Sequence, residues 1–182
     1  ALPIWFTALV HGKAFHAETI ATVSQAQKFD GHTVVVRNKD EAQLVCDIIT
    51  GDRPPADIEK LGPLALSKGF DPERHLTHIG VANQTTMLAS ESLEIARMVG
   101  DALARRYGEE HRKEHFRSFD TICSATQERQ DAILDLVKSG ELDLMLVVGG
   151  YNSSNTGHLL EMASQHVPAY HIADAGELLS AE

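Results

Sequence analysis

Short apolar runs, several of them rich in β-branched residues, alternate with amphipathic stretches along the first part of the chain. The runs predict buried strands at Ile4–Val10, Thr33–Arg37 and His78–Ala82. The amphipathic stretches predict helices at His16–Gln27, Asp40–Ile49 and Ser90–Tyr107, the last with an apolar stripe of Leu93, Ala96, Val99 and Leu103. Strands that alternate with helices in this way predict right-handed βαβ crossovers and a parallel sheet.

A charged segment, Arg105 to Lys113, follows the long helix and is the candidate region for a domain boundary. The alternation then restarts, with strands predicted at Phe119–Ile122, Leu144–Val148 and Ala169–Ile172 and helices at Thr126–Lys138 and Ser154–Gln165. We therefore expect an α/β fold of two units, residues 1–118 and 119–182. The second has few strands for a sheet covered on both faces, so we expect it to be incomplete.

Composition and charge exclude several classes of protein. The chain has 182 residues and a formal net charge of −10, and a nucleic-acid binder needs clustered Lys and Arg instead. No apolar run approaches the roughly 18 residues of a membrane span. Two cysteines in a chain of this length are too few for a disulfide framework, so we expect a reducing compartment.

Polar clusters follow four of the predicted strands, where ligands bind in open parallel sheets. The clusters are His11 to Glu18, Asn83 to Thr86, Cys123 to Gln127, and Gly149 to Asn155. The last one suits an anion, because free N–H groups and the positive end of the dipole lie at a helix start, with Ser and Asn side chains as further donors. An ordinary helix cap explains the same residues.

The two cysteines and Glu18 are the remaining candidate residues. Cys123 lies where a strand meets a helix and could be a nucleophile, an iron–sulfur ligand or a buried apolar thiol. Cys46 lies on the apolar face of its helix and is assigned to the core. Glu18, two residues after His16, is either a proton donor at the mouth of a crevice or a first-turn acid favoured by the helix dipole.

Read in order, these clusters resemble the 4-hydroxy-3-methylbut-2-enyl diphosphate reductase family, and its cyanobacterial and plastid branch above all. The resemblance is carried by four motifs: His16-Ala17-Glu18-Thr19, Val81-Ala82-Asn83-Gln84-Thr85-Thr86-Met87, Asp120 to Gln130, and Leu146 to Thr156. It extends from about His11 to the C-terminus. It implies the last step of the methylerythritol phosphate route to isoprenoids, in which an allylic hydroxyl is removed reductively to give isopentenyl and dimethylallyl diphosphate.

The resemblance also implies a role for each matching residue. Glu18 matches the acid that relays a proton to the substrate hydroxyl, and Thr85 the hydroxyl beside it. The residues that match diphosphate contacts are His16, Ser153, Ser154 and Asn155. Cys123 matches the third of three thiolate ligands of a central 4Fe-4S cluster. The family fold implied has three similar α/β units around that cluster, and this chain matches the second and most of the third.

Only one of the three cluster ligands is therefore expected in this chain, and we expect a fragment that is inactive by itself. The resemblance implies ferredoxin or flavodoxin as electron donor, and bacterial cytoplasm or plastid stroma as location. Uncovered apolar surface would favour self-association. Two alternatives are a phosphate- or diphosphate-binding α/β module without redox chemistry, and a thiol enzyme that uses Cys123 as nucleophile.

Overall fold

The computed structural model describes residues 6–118 and 124–178 and divides the chain into two compact units. Unit 1 comprises Ala1–Thr85 and Ala89–Thr121, and unit 2 comprises Thr86–Leu88 and Ile122–Glu182. The strand predicted at Phe119–Ile122 lies outside the described residues, as does Cys123.

Unit 1 is built on a parallel sheet with the strand order β2-β1-β3-β4. The strands are β1 (Thr7–His11), β2 (Thr33–Val36), β3 (Ile79–Asn83) and β4 (Phe116–Ser118). The helices are α1 (Ala17–Gln27), α2 (Lys39–Thr50), α3 (Pro72–His75), α4 (Ala89–Tyr107) and α5 (Arg112–His115), with 3-10 helices at Pro55–Leu61 and Glu109–His111. Val10 is in register with Val35 on one side and with Ala82 on the other, which places β1 centrally.

The core of unit 1 lies between this sheet and helices α2 and α4. Val45 and Ile49 of α2 and Ile95 and Leu103 of α4 are at most 1% exposed. Burying an aliphatic side chain of this size stabilises a fold by about 1.5–3 kcal/mol, so these helices contribute strongly to the stability of the unit.

One position of the predicted apolar stripe on α4 is wrong. Leu93 is 59% exposed, whereas Ala96, Val99 and Leu103 are buried. Leu93 lies six residues before Val99, which at 3.6 residues per turn is about 120° around the helix from it. Ile95 and Ala102 take its place in the core.

Unit 2 contains a two-stranded parallel sheet that packs against two helices. Its elements are β5 (Met145–Val148), β6 (Ala169–Ile172), α6 (Ser124–Lys138), α7 (Ser154–Ser164) and a 3-10 helix at Ala175–Glu177. Val137, Met145, Val147 and Ala163 form its buried core. Along β5 the alternate residues Leu146 and Val148 are exposed, so the described residues cover one face of this sheet.

The segment Thr86–Leu88 belongs to unit 2 although its neighbours in sequence belong to unit 1. Gln130 Nε2 donates a hydrogen bond of 3.2 Å to the Met87 carbonyl. His158 Nδ1 donates one of 2.6 Å to the Thr86 carbonyl. These two bonds attach the segment to α6 and α7.

The alternation of predicted strands and helices is confirmed over the described residues, as is the parallel α/β fold. The charged segment Arg105 to Lys113 does not separate the two units. It forms the end of α4, the 3-10 helix Glu109–His111 and the start of α5, all inside unit 1. Within the described ranges no helix is both long enough and apolar enough to cross a membrane.

Candidate active site

The carboxyl ends of β1 and β3 lie side by side, because His11 is in register with Asn83. The loop after β1 leads into α1, and the loop after β3 carries Gln84 and Thr85. Chain order alone separates these loops by about 70 residues, and the parallel pairing brings them together. This edge of the sheet is where ligands bind in open α/β folds.

His16 is the N-cap of α1. Its backbone is extended, and its Nδ1 accepts a hydrogen bond of 3.3 Å from the Glu18 N–H. Because Nδ1 accepts, the ring hydrogen of a neutral His16 is on Nε2. The cap satisfies one of the free amides at the helix start and orients the first turn, which includes Glu18.

Both carboxylate oxygens of Glu18 accept hydrogen bonds from Thr85. The Thr85 N–H donates to Oε1 at 2.7 Å, and the Thr85 hydroxyl donates to Oε2 at 3.0 Å. Both residues are half-buried, so the pair is fixed in position while it remains accessible from the strand ends. The structure thus brings together three of the predicted site residues, namely His16, Glu18 and Thr85.

A buried hydrogen bond lies directly beneath this pair. Gln84 is 1% exposed, and its Oε1 accepts from the Thr19 hydroxyl at 3.2 Å and from the Lys13 N–H at 3.1 Å. Gly12 leaves room for this contact, since a Cβ on it would lie 2.7 Å from Thr19 Oγ1. The sequence predicted a polar cluster from Asn83 to Thr86 at this strand end, with a role for Thr85 but none for Gln84 or Thr19.

His11 is a second buried polar residue at this edge of the sheet. Its side chain is fully buried, with Nδ1 2.8 Å from Ser92 Oγ and Nε2 3.7 Å from Glu91 Oε2. Its carbonyl accepts from the Gln84 N–H at 2.8 Å. His11 therefore joins the start of α4 to the loop that carries Gln84 and Thr85.

In unit 2 the start of α7 presents the predicted anion-binding residues. Ser153 is its N-cap and accepts a 3.2 Å hydrogen bond from the Thr156 N–H on its Oγ. The amides of Ser154 and Asn155 belong to the first turn, where a helix supplies no backbone acceptor. The Asn155 Oδ1 is buried, and none of the described residues donates a hydrogen bond to it.

This unsatisfied oxygen favours a ligand at Asn155. As oriented, Oδ1 would accept from a hydroxyl or a water molecule. Turning the amide by 180° would direct its NH₂ group at an anion instead. A buried amide oxygen without a hydrogen-bond partner is unfavourable by about 1–3 kcal/mol.

Two features restrict the conformation of the loop before α7. A Cβ on Gly149 would lie 2.6 Å from Thr156 Oγ1, so only glycine allows β5 to end this close to the helix. The Tyr151 hydroxyl donates a 2.5 Å hydrogen bond to Glu177, and this bond is the main reason that the pKa of Tyr151 is raised. Glu177 also accepts from the Ala173 N–H at 3.0 Å.

The cysteine prediction is confirmed for Cys46, which is 4% exposed in the core. Burial raises the pKa of its thiol to about 12, with a smaller contribution from Asp47. A thiol of this kind is a poor metal ligand. Within residues 6–118 and 124–178 no three His, Cys, Asp or Glu side chains are grouped so as to hold a metal ion.

The sequence profile of the LytB protein family matches residues 5–182. The chain belongs to the LytB protein family. It is 51% identical over 176 residues to 4-hydroxy-3-methylbut-2-enyl diphosphate reductase of Thermosynechococcus vestitus, covering 95% of this chain and 42% of that relative. Identity to the reductase of Synechococcus sp. (strain RCC307) is 53% over 173 residues, which are 94% of this chain and 41% of the relative.

A comparison with solved structures shows a similar fold. The fold is similar to that of E-1-hydroxy-2-methyl-but-2-enyl-4-diphosphate reductase from Plasmodium falciparum, with a TM-score of 0.59 and 22% identity. The likeness covers 94% of this chain and 42% of that structure. The chain thus spans about two fifths of the length of the family members it matches.

Proposed function

We propose that this LytB chain carries the proton donor and part of the diphosphate contacts of a 4-hydroxy-3-methylbut-2-enyl diphosphate reductase. The observation that supports this most strongly is the pairing of Glu18 with Thr85, in which both carboxylate oxygens are bound by one residue. The high identity to cyanobacterial reductases supports the same substrate and reaction.

In the proposed reaction Glu18 protonates the hydroxyl of the substrate. The allylic C–O bond breaks, the hydroxyl leaves as water, and two electrons with a second proton complete the diphosphate product. Protonation makes hydroxide a better leaving group, which is the usual contribution of a general acid.

Thr85 is suited to hold Glu18 in both of its protonation states. Its N–H donates to Oε1 whether or not the carboxyl is charged. Its hydroxyl donates to a charged Oε2 and can accept from a protonated one. The acid therefore keeps its position when it gives up and regains its proton.

We propose a diphosphate contact for His16 of unit 1 and, as a separate proposal, diphosphate contacts for Ser153, Ser154 and Asn155 of unit 2. Ser153 uses an oxygen lone pair for the cap, so its hydroxyl hydrogen can point at an anion. The first-turn amides of α7 and the positive end of its dipole add to the attraction. His16 presents its Nε2–H, because Nδ1 is occupied by the cap.

Cys123 is the residue of this chain that we propose as a ligand of the 4Fe-4S cluster, and it lies outside the described residues. When bound, such a cluster would supply electrons and a Lewis-acidic iron. The described residues do not form a site for it by themselves, because they contain no suitable group of three ligands and Cys46 is buried in the core. We therefore assign no step to it.

Three further proposals follow from the same assignment. The electrons would come from a ferredoxin or flavodoxin, and the location would be bacterial cytoplasm or plastid stroma.

We also propose that the chain self-associates, because Val148 and Tyr170 on the strands of unit 2 are 62% and 57% exposed. A strictly monomeric profile in light scattering would contradict self-association.

The proposed function is tested by segment exchange. Residues 5–182 replace the matching part of the Thermosynechococcus vestitus relative, and turnover of the diphosphate substrate is measured anaerobically with dithionite as reductant. We expect the chimera to give isopentenyl and dimethylallyl diphosphate, and the 182-residue chain alone to give none. A folded, iron-loaded chimera without turnover would contradict the proposal. Tight diphosphate binding without redox activity would favour the phosphate-binding module instead.

A further inference from the structure

Two pairs of consecutive residues bind each other at the edge of the sheet in unit 1. Glu18 accepts two hydrogen bonds from Thr85, and the residue after Glu18, Thr19, donates one to Gln84, the residue before Thr85. The contact between Glu18 and Thr85 is half-buried, whereas Thr19 is 0% and Gln84 is 1% exposed.

The buried contact is the better fixed of the two. Gln84 Oε1 receives donors from α1 and from the loop after β1, and the Gln84 N–H donates to the His11 carbonyl. Hydrogen bonds in such a low-dielectric environment are stronger than exposed ones, and an unmatched buried amide is unfavourable. Gly12 packs against the same atoms, which leaves the Thr19 side chain little freedom to move.

We infer that Thr19 is a positioning residue for the acid Glu18 and acts through its hydrogen bond to Gln84. This inference rests on the proposed function for the role of Glu18 alone. The hydrogen bonds from which it is argued do not depend on that function. Adjacent residues of a helix share a backbone, so fixing Thr19 to Gln84 fixes the start of the Glu18 side chain relative to the Thr85 donors. Without that hydrogen bond, ordering the flexible Glu18 side chain against Thr85 would cost conformational entropy.

Amide hydrogen exchange of the 182-residue chain, followed residue by residue by NMR, tests the inference without any turnover. Thr19→Val keeps the shape and removes the hydroxyl, and Thr19→Ser keeps the hydroxyl. We expect the Thr85 amide to exchange roughly fivefold faster in Thr19→Val, the effect of losing one hydrogen bond, and near the original rate in Thr19→Ser. The Val45 amide in the core should be unchanged in both.

Other outcomes would overturn the inference. Unchanged exchange at Thr85 in Thr19→Val would show that the bond does not position the pair. An equal rise at Thr85 and Val45 would show a loss of overall stability instead. Gln84→Met serves as a second variant that removes the acceptor, and unfolding of both Thr19→Val and Gln84→Met would mean that the bond maintains the fold. A faster Thr85 amide beside an inactive chimera would leave the inference standing and refute only the proposed function.

Discussion

Glu18 and Thr85 are 67 residues apart in sequence, yet Thr85 donates to both oxygens of the Glu18 carboxylate. The parallel pairing of β1 with β3 brings them together at one edge of the sheet. The arrangement leaves the acid accessible and restrains it through a backbone donor that substitution of the side chain cannot remove.

Thr85→Val removes one of the two hydrogen bonds to Glu18 and keeps the other, which comes from the backbone. We expect turnover of the chimera to fall by roughly tenfold, corresponding to about 1.4 kcal/mol, which is within the range for the loss of one hydrogen bond. Thr85→Ser retains the hydroxyl and is the matched control, with activity within about threefold of the unsubstituted chimera. Equal activity of Thr85→Val and the unsubstituted chimera would show that the hydroxyl has no part in the reaction.

Ser153 has a structural and a proposed binding role, and two substitutions distinguish them. Ser153→Ala removes the N-cap of α7 and should lower the free energy of unfolding by about 1 kcal/mol in urea titrations. Ser153→Asp keeps a capping oxygen and adds a negative charge, so stability should be retained while inorganic pyrophosphate binds more weakly in calorimetry. Unaltered pyrophosphate binding in Ser153→Asp would argue against an anion site at this helix start.

The pH dependence of stability should reflect two histidines of unit 1, at the edge of the sheet opposite the Glu18 pair. Burial, and then charge repulsion from His32, whose ring stacks on it at 3.6 Å, lowers the pKa of His75. The His75 Nδ1 accepts a hydrogen bond from the Asp71 N–H. Burial, and then His115, likewise lowers the pKa of His78. A lowered pKa means that the unfolded chain binds more protons, so stability is complete above the ordinary histidine value of about 6.5 and is lost as the pH falls below it.

Thermal unfolding between pH 7.5 and 5 measures this effect. The melting temperature should fall on acidification, and the fall should be shallower in the double variant His75→Gln/His78→Gln. Carboxylates contribute equally to both proteins, so the difference between the two slopes isolates the histidines. Parallel slopes would contradict the assignment.

Cys46 should be unreactive in the folded chain, because burial raises its pKa to about 12. In Cys123→Ser it is the only thiol, since the chain has 2 cysteines. We expect a disulfide reagent at pH 8 to label it slowly in buffer and rapidly in urea. Rapid labelling of the folded protein would show that the α2 core opens readily.

The sequence predicted most helices and strands because their patterns are local. Helix α2 repeats apolar residues at helical spacing, and β2 is a run of β-branched residues. In contrast, β4 has no such pattern: its three residues Phe116–Ser118 are half-buried or exposed, and they form a strand because Ile79 pairs with Phe116. An edge strand of this kind depends on its neighbour and not on its own composition.

The candidate site could likewise be predicted from the sequence only in part. Glu18 and Thr85 could be named in advance, because each follows a strand in a recognisable motif. The hydrogen bond between Thr19 and Gln84 could not be predicted, because a threonine in a helix gives no sign of its partner. That partner is 65 residues away in sequence. The stack of His32 on His75 could not be predicted either, because the end of α3 and the residue before β2 meet only in the folded unit.

The most direct test of the account is the substitution Glu18→Gln in the chimera with the Thermosynechococcus vestitus relative. Glutamine has nearly the same shape and cannot donate an acid proton. We expect kcat to fall by about two orders of magnitude or more with KM changed by less than about threefold, since a general acid acts on the chemical step. Iron content and melting temperature should match those of the unsubstituted chimera. A twofold change in kcat corresponds to about 0.4 kcal/mol in activation free energy, which is negligible. A Glu18→Gln chimera that keeps its kcat within twofold would contradict the assignment of Glu18 as the proton donor.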